Sequence, residues 1–128
     1  MIFKQEFNKP LDNYINIISK YDNLIFIETN NEYKCEFGKY YSKSKFNQEV
    51  NNLPQNLNHL TFGDIFNKKV NNLPSNITHL TFDWEFNKEV INLSSNITHL
   101  TFGENFNQSV NNLPQNINYL TFGDYFNQ

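Results

Sequence analysis

The stretch Phe66-Asn67-Lys68-Lys69-Val70-Asn71-Asn72-Leu73-Pro74-Ser75-Asn76-Ile77-Thr78-His79-Leu80-Thr81-Phe82 returns, with few changes, as Phe86-Asn87-Lys88-Glu89-Val90-Ile91-Asn92-Leu93-Ser94-Ser95-Asn96-Ile97-Thr98-His99-Leu100-Thr101-Phe102. The offset is 20 residues, and it holds along the chain: Phe-Asn falls at 46, 66, 86, 106 and 126, and Leu-Thr-Phe begins at 60, 80, 100 and 120. A fixed period of this length is the mark of stacked supersecondary units, so the repeat has to be read before any single residue.

Within a unit the apolar residues form six columns, headed by Val50, Leu53, Leu57, Leu60, Phe62 and Phe66. Leu60 and Phe62 are two apart, so in extended chain both face one side and Thr61 faces the other. Asn-Asn, Leu-Pro and Phe-Gly flank that segment, which leaves room for tight turns and no long helix. One short strand per unit follows. Stacked coils lay these strands side by side in a parallel sheet about 4.8 Å apart, each coil covering the apolar edge that its neighbour cannot bury alone. The expected fold is mainly β: a short solenoid with one short parallel strand per 20-residue repeat.

Residues 46–128 carry the regular repeats, and residues 1–45 read as degenerate repeats and an N-terminal cap of the same continuous solenoid. Phe7-Asn8-Lys9-Pro10-Leu11 parallels Phe46 to Val50, and both Leu24-Ile25-Phe26 and Cys35-Glu36-Phe37-Gly38 parallel Leu60 to Gly63. Between them Tyr14, Ile15, Ile17, Ile18 and Tyr21 fall at near-helical spacing, which predicts a short helix capping the exposed apolar end. The stretch 39–45 is extra relative to the unit and reads as a loop. Phe126-Asn127-Gln128 follows a strand with no turn to cover it, so association through an uncapped C-terminal coil is expected.

Composition narrows the function. Thirteen Phe and seven Tyr concentrate buried area in few positions, and the net charge of −3 is scattered, so no basic field exists for nucleic acid or an anionic membrane. No apolar run approaches the roughly 18 residues of a membrane span. A single cysteine, Cys35, and a start lacking the signal-peptide pattern suggest an intracellular, cytoplasmic protein. Cys35 stands at a strand-leucine position, which favours a buried thiol. The 25 asparagines invite a low-complexity reading, yet they interleave with strictly phased Phe, Leu and Val, as an ordered ladder requires. Glycosylation sequons, among them those at Asn76, Asn96 and Asn107, arise by chance in so Asn-rich a chain.

The motif Leu-Pro-x-x-Leu/Ile-x-x-Leu-Thr-Phe-Gly followed by Phe-Asn resembles the FNIP repeat, a leucine-rich-repeat relative found in social amoebae and in giant viruses that infect amoebae. The resemblance covers Phe46 to Gln128 closely and the first 45 residues loosely. The name's own motif is nearest at Phe7 to Leu11; later units carry Val in its last position and lack its proline. The resemblance implies a leucine-rich-repeat-like fold and a protein-interaction role, sometimes joined to an F-box, of which residues 1–45 carry no convincing pattern.

Candidate sites are few. His59, His79, His99 and Tyr119 precede the strand leucines, and histidines stacked this closely are able to share a metal ion. Repeat duplication explains the column more simply, and no second ligand type accompanies it, so no metal is assigned. Asp64, Glu104 and Asp124 form an acidic column broken by Trp84, read as solvated turn residues. No nucleophile with a base, phosphate loop or zinc signature appears, so neither an enzyme nor a cofactor is expected. What remains is an outward strand face of His59, Thr61, His79, Thr81, His99, Thr101, Tyr119 and Thr121, with Trp84 nearby, suited to a protein partner. The sequence therefore reads as a non-enzymatic interaction module, with a self-assembling structural protein as the alternative.

Overall fold

A computed structural model describes residues 1–3, 7–26 and 44–128. Six strands form one sheet in chain order: β1 (Ile2–Phe3), β2 (Asn23–Phe26), β3 (His59–Thr61), β4 (His79–Thr81), β5 (His99–Thr101) and β6 (Tyr119–Thr121). Every neighbouring pair is parallel. The register is one repeat per rung, Leu60 opposite Leu80, Leu80 opposite Leu100 and Leu100 opposite Leu120. The expected solenoid is therefore the observed architecture.

Phenylalanine builds the core. Phe62, Phe82 and Phe102 form one fully buried column and Phe66, Phe86 and Phe106 a second. Within a coil the two rings lie 3.8 Å apart at Phe62–Phe66, Phe82–Phe86 and Phe102–Phe106. Between coils the first column repeats at 5.5 Å and 5.6 Å, the second at 6.1 Å. Aromatic pairs in offset stacks contribute about 0.5–1.5 kcal/mol beyond their buried area. Leu57, Ile77 and Ile97 and the strand leucines close the other side of each coil.

Two asparagine ladders bind coil to coil. In the first, each Phe-Asn asparagine turns its side-chain oxygen to the backbone N–H of its successor: Asn67 donates to Asn47 Oδ1 at 3.0 Å, Asn87 to Asn67 Oδ1 at 3.1 Å, Asn107 to Asn87 Oδ1 at 3.0 Å and Asn127 to Asn107 Oδ1 at 3.0 Å. In the second, the Nδ2 groups of Asn76, Asn96 and Asn116 donate to the carbonyls of Gln55, Ser75 and Ser95 at 2.7–2.9 Å. Turn backbone that no helix or long strand serves is satisfied by amide side chains in this way. The sequon asparagines Asn76 and Asn96 are thus rungs of a ladder. Ser94 replaces the proline of the other units, and there Asn92 adopts a left-handed conformation, φ 57°, which asparagine tolerates better than most residues.

The first unit departs from the rest. A 3-10 turn (Leu11–Tyr14) runs into one turn of α-helix (Ile15–Ile18), burying Leu11 and Ile18. The predicted helix is present, but it lies between Phe7-Asn8 and β2, the stretch that Val50 to Leu57 occupies in the next unit. It replaces the return segment of a coil. The surrounding contacts keep the repeat pattern: Asn47 N–H donates to Asn8 Oδ1 at 3.1 Å, and Asn56 Nδ2 to the Tyr21 carbonyl at 2.7 Å. Strand β1 adds a rung that the sequence reading did not foresee, and β2 pairs directly with β3. Phe26 lies 4.0 Å from Phe46, much as Phe62 lies 3.8 Å from Phe66, so these two rings form the same pair as in the regular coils. Cys35 to Gly38 and most of the 39–45 stretch lie outside the described residues; of the latter, Ser44 is buried and Lys45 exposed.

Gly103 sits where coils approach most closely, since a Cβ there would collide with the Asp83 carbonyl. At β6 the inner face opens: Leu120 is 43% exposed, against 1% for Leu60, Leu80 and Leu100. Phe86→Ala empties a site fully enclosed by rings and should cost about 3–5 kcal/mol, whereas Asn87→Ala, which removes one acceptor, should cost about 0.5–1.5 kcal/mol. Urea melts of both variants check this ratio.

Candidate functional site

Because Leu60, Leu80 and Leu100 point inward, the flanking residues of each strand point outward and the parallel register aligns them. Two columns result. One runs His59, His79, His99, Tyr119, and the other Thr61, Thr81, Thr101, Thr121. The structure thus brings together eight of the nine candidate residues. It also extends the columns by residues not singled out in the sequence, since Asn23 pairs with His59, Ile25 with Thr61 and Ile2 with Ile25. The equivalence of Leu24 and Leu60 carries that signal. Trp84 is the exception: it is half-buried in the turn between β4 and Phe86, where its carbonyl accepts the Asn105 N–H at 3.0 Å.

The rings of the first column stack, with centroids 4.2 Å apart for His59–His79, 4.0 Å for His79–His99 and 4.5 Å for His99–Tyr119. Their orientation is fixed from below. Thr78 Oγ1 lies 2.9 Å from His79 Nδ1 and 3.2 Å from the Asn58 carbonyl, and Thr98 Oγ1 lies 2.9 Å from His99 Nδ1 and 3.3 Å from the Thr78 carbonyl. Each hydroxyl has one proton; when it donates to the carbonyl, Nδ1 carries its own hydrogen and Nε2 is left as an acceptor. His79, in the middle, has its pKa lowered below the usual 6.5, by burial first and then by His59 and His99 on either side.

Parallel rings held by the same nitrogen aim their remaining nitrogens in parallel. Lone pairs that do not converge make a poor cage for one tetrahedral ion, and among the described residues no group of three His, Cys, Asp or Glu could hold a metal. Asp64 differs from the solvated turn residue expected, whereas Asp124, in the same column, is exposed. Asp64 is buried, and its Oδ1 accepts the Ser44 N–H at 3.0 Å, while Glu104 Oε2 accepts the Asp124 N–H at 2.9 Å. These carboxylates serve the turn backbone, which explains why they recur. A polar hollow of about 470 Å³ beside them, lined by Asn67, Glu85, Asn87, Asn105, Asn107 and Tyr125, pairs no nucleophile with a base.

Parallel coils, one three-residue strand per 20-residue unit, and a polar outward face define a leucine-rich-repeat-like solenoid. Residues 69–93 match the FNIP repeat family. Aligned over 99% of its length, the chain is similar to CroV588, whose crystal structure is described as a novel circular LRR protein structure, with 38% sequence identity and a TM-score of 0.58. It spans 24% of that protein's length. No curated protein matches the chain. FNIP and leucine-rich-repeat solenoids are non-enzymatic repeat folds, and the architecture is that of an interaction or structural module. Among the described residues no helix is long and apolar enough to cross a membrane. Adding zinc should leave the melting temperature unchanged, as measured by scanning calorimetry; a rise that increases with zinc concentration would show that the imidazoles converge.

Proposed function

We propose that this chain is a non-enzymatic interaction module of the cytoplasm whose sheet face receives a protein partner. One observation supports the reading above others: the hydroxyls of Thr61, Thr81, Thr101 and Thr121 stand in a row beside the His59–Tyr119 ring column, and no side chain among the described residues takes them up. Groups in such a row are ready for a partner without loss of an internal bond, and the rings beside them are ordered already, which lowers the entropic cost of docking. Recognition here rests on shape, ring edges and hydroxyls.

A second reading, self-assembly, is favoured by the last coil. Leu120 and Tyr119 are 43% and 64% exposed, and Phe122 and Phe126 are only half-buried where their equivalents are enclosed. A further coil of the same kind would cover them. An exposed strand edge over an apolar face is an association surface.

The two readings separate by substitution. Thr81→Lys, on the sheet face, should weaken binding of a captured partner at least about tenfold with little change in melting. Unchanged binding would reject the face as the docking surface. Leu120→Lys should abolish concentration-dependent oligomers in size-exclusion chromatography with light scattering. A wild-type protein that stays monomeric at high concentration rejects the self-assembly reading.

A further inference from the structure

We propose that the stacked column His59–His79–His99 makes the sheet face acid-responsive, because the middle ring, packed between two other imidazoles, resists the proton that an unstacked histidine would take up. Three facts of geometry carry this. The rings are parallel and about 4 Å apart, so a charge on one is felt by the next even where water screens it. On the strands around His79, β3 presents His59 and β5 presents His99, while β6 contributes Tyr119 and β2 Asn23, with Asp22 one residue before it and a row of threonines alongside. And His79 has two titratable neighbours where His59 and His99 have one imidazole each.

The threonine latches prevent an easy escape. A protonated imidazole carries hydrogen on both nitrogens, and its Nδ1–H donates to Thr78 Oγ1 or Thr98 Oγ1 while the hydroxyl turns its own hydrogen to the carbonyl below. The contact survives protonation, so His79 and His99 stay stacked when charged and the repulsion persists. His59 lacks this latch: Asn58 stands where the other units have threonine, and the ring is exposed.

The direction of the His79 shift agrees, with burial and both neighbouring imidazoles holding its proton affinity below the usual value. Above that value, 6.5, the ring is neutral whether the chain is folded or not, and folding gains or loses nothing. As the pH falls below it, the unfolded chain binds a proton that folded His79 resists, so stability is lost towards acid. Charging this face in acid would alter what it can bind. The rings titrate with or without a partner, so this inference and the proposed function fail separately.

Following the imidazole Cε1–H resonances of the full chain by nuclear magnetic resonance, from about pH 8 to about pH 4.5, tests it. The expected result is a His79 midpoint below the usual imidazole value, moved up towards it in the His59→Gln/His99→Gln double variant. Melting temperatures should fall across the same range, and fall less in His79→Gln. A His79 midpoint at the usual imidazole value, or one that the double variant leaves in place, would overturn the proposal. So would melting that ignores pH over this range.

Discussion

Each coil rests its phenylalanines on those of the coil before it, and this contact between copies of the same residue is the constraint that everything else obeys. The strands are three residues long, too short to hold a sheet by backbone pairing alone. Rings at 3.8 Å within a coil and near 5.5–6.1 Å between coils supply most of the apolar area that leaves water. A slip of one residue would bring Thr81 over Leu60 and turn the inner face outward. The asparagine ladder reinforces the register, because Asn67 Oδ1 meets the Asn87 N–H only when the two units lie in phase. Burial and hydrogen bonding therefore select the same alignment, which is how a chain of mostly polar residues specifies one structure.

The repeated columns were legible because a solenoid translates a sequence period directly into a spatial one. Leu60 and Phe62 two residues apart, with turn formers on both sides, placed the strand and its inward face correctly. The first unit was harder to read. Its helix spacing is visible at Tyr14 to Tyr21, yet nothing local says whether a helix lies across the end of a stack or within a coil; Asn56 reaching the Tyr21 carbonyl decides that, and it is a tertiary contact. Strand β1 is two residues long and has no period of its own. The acidic column misled for a related reason. A carboxylate at a turn looks solvated until a buried N–H, here that of Ser44, is found against it.

The outward face follows from the core by elimination. Once the leucines point inward, the residues beside them have no choice but to align, and duplication supplies the same residue each time. A row of rings and a row of hydroxyls therefore arise without any selection for binding, and what distinguishes this face is what surrounds them. Thr78 and Thr98 fix two of the rings, and Asn58 leaves the third without that contact. The chemistry of the surface lies in these departures from perfect repetition, as it does at Trp84 and Ser94.

Amide hydrogen exchange resolved by residue tests the stacked register most directly. The account requires that the N–H groups of Phe62 and Phe82, which donate to the Thr81 and Thr101 carbonyls at 2.9 Å, exchange slowly together with those of Asn67 and Asn87, which donate to side chains one unit back. Rapid exchange at the asparagines beside protected phenylalanines would remove the ladder from the account. Rapid exchange at both would mean that the coils do not lie on one another.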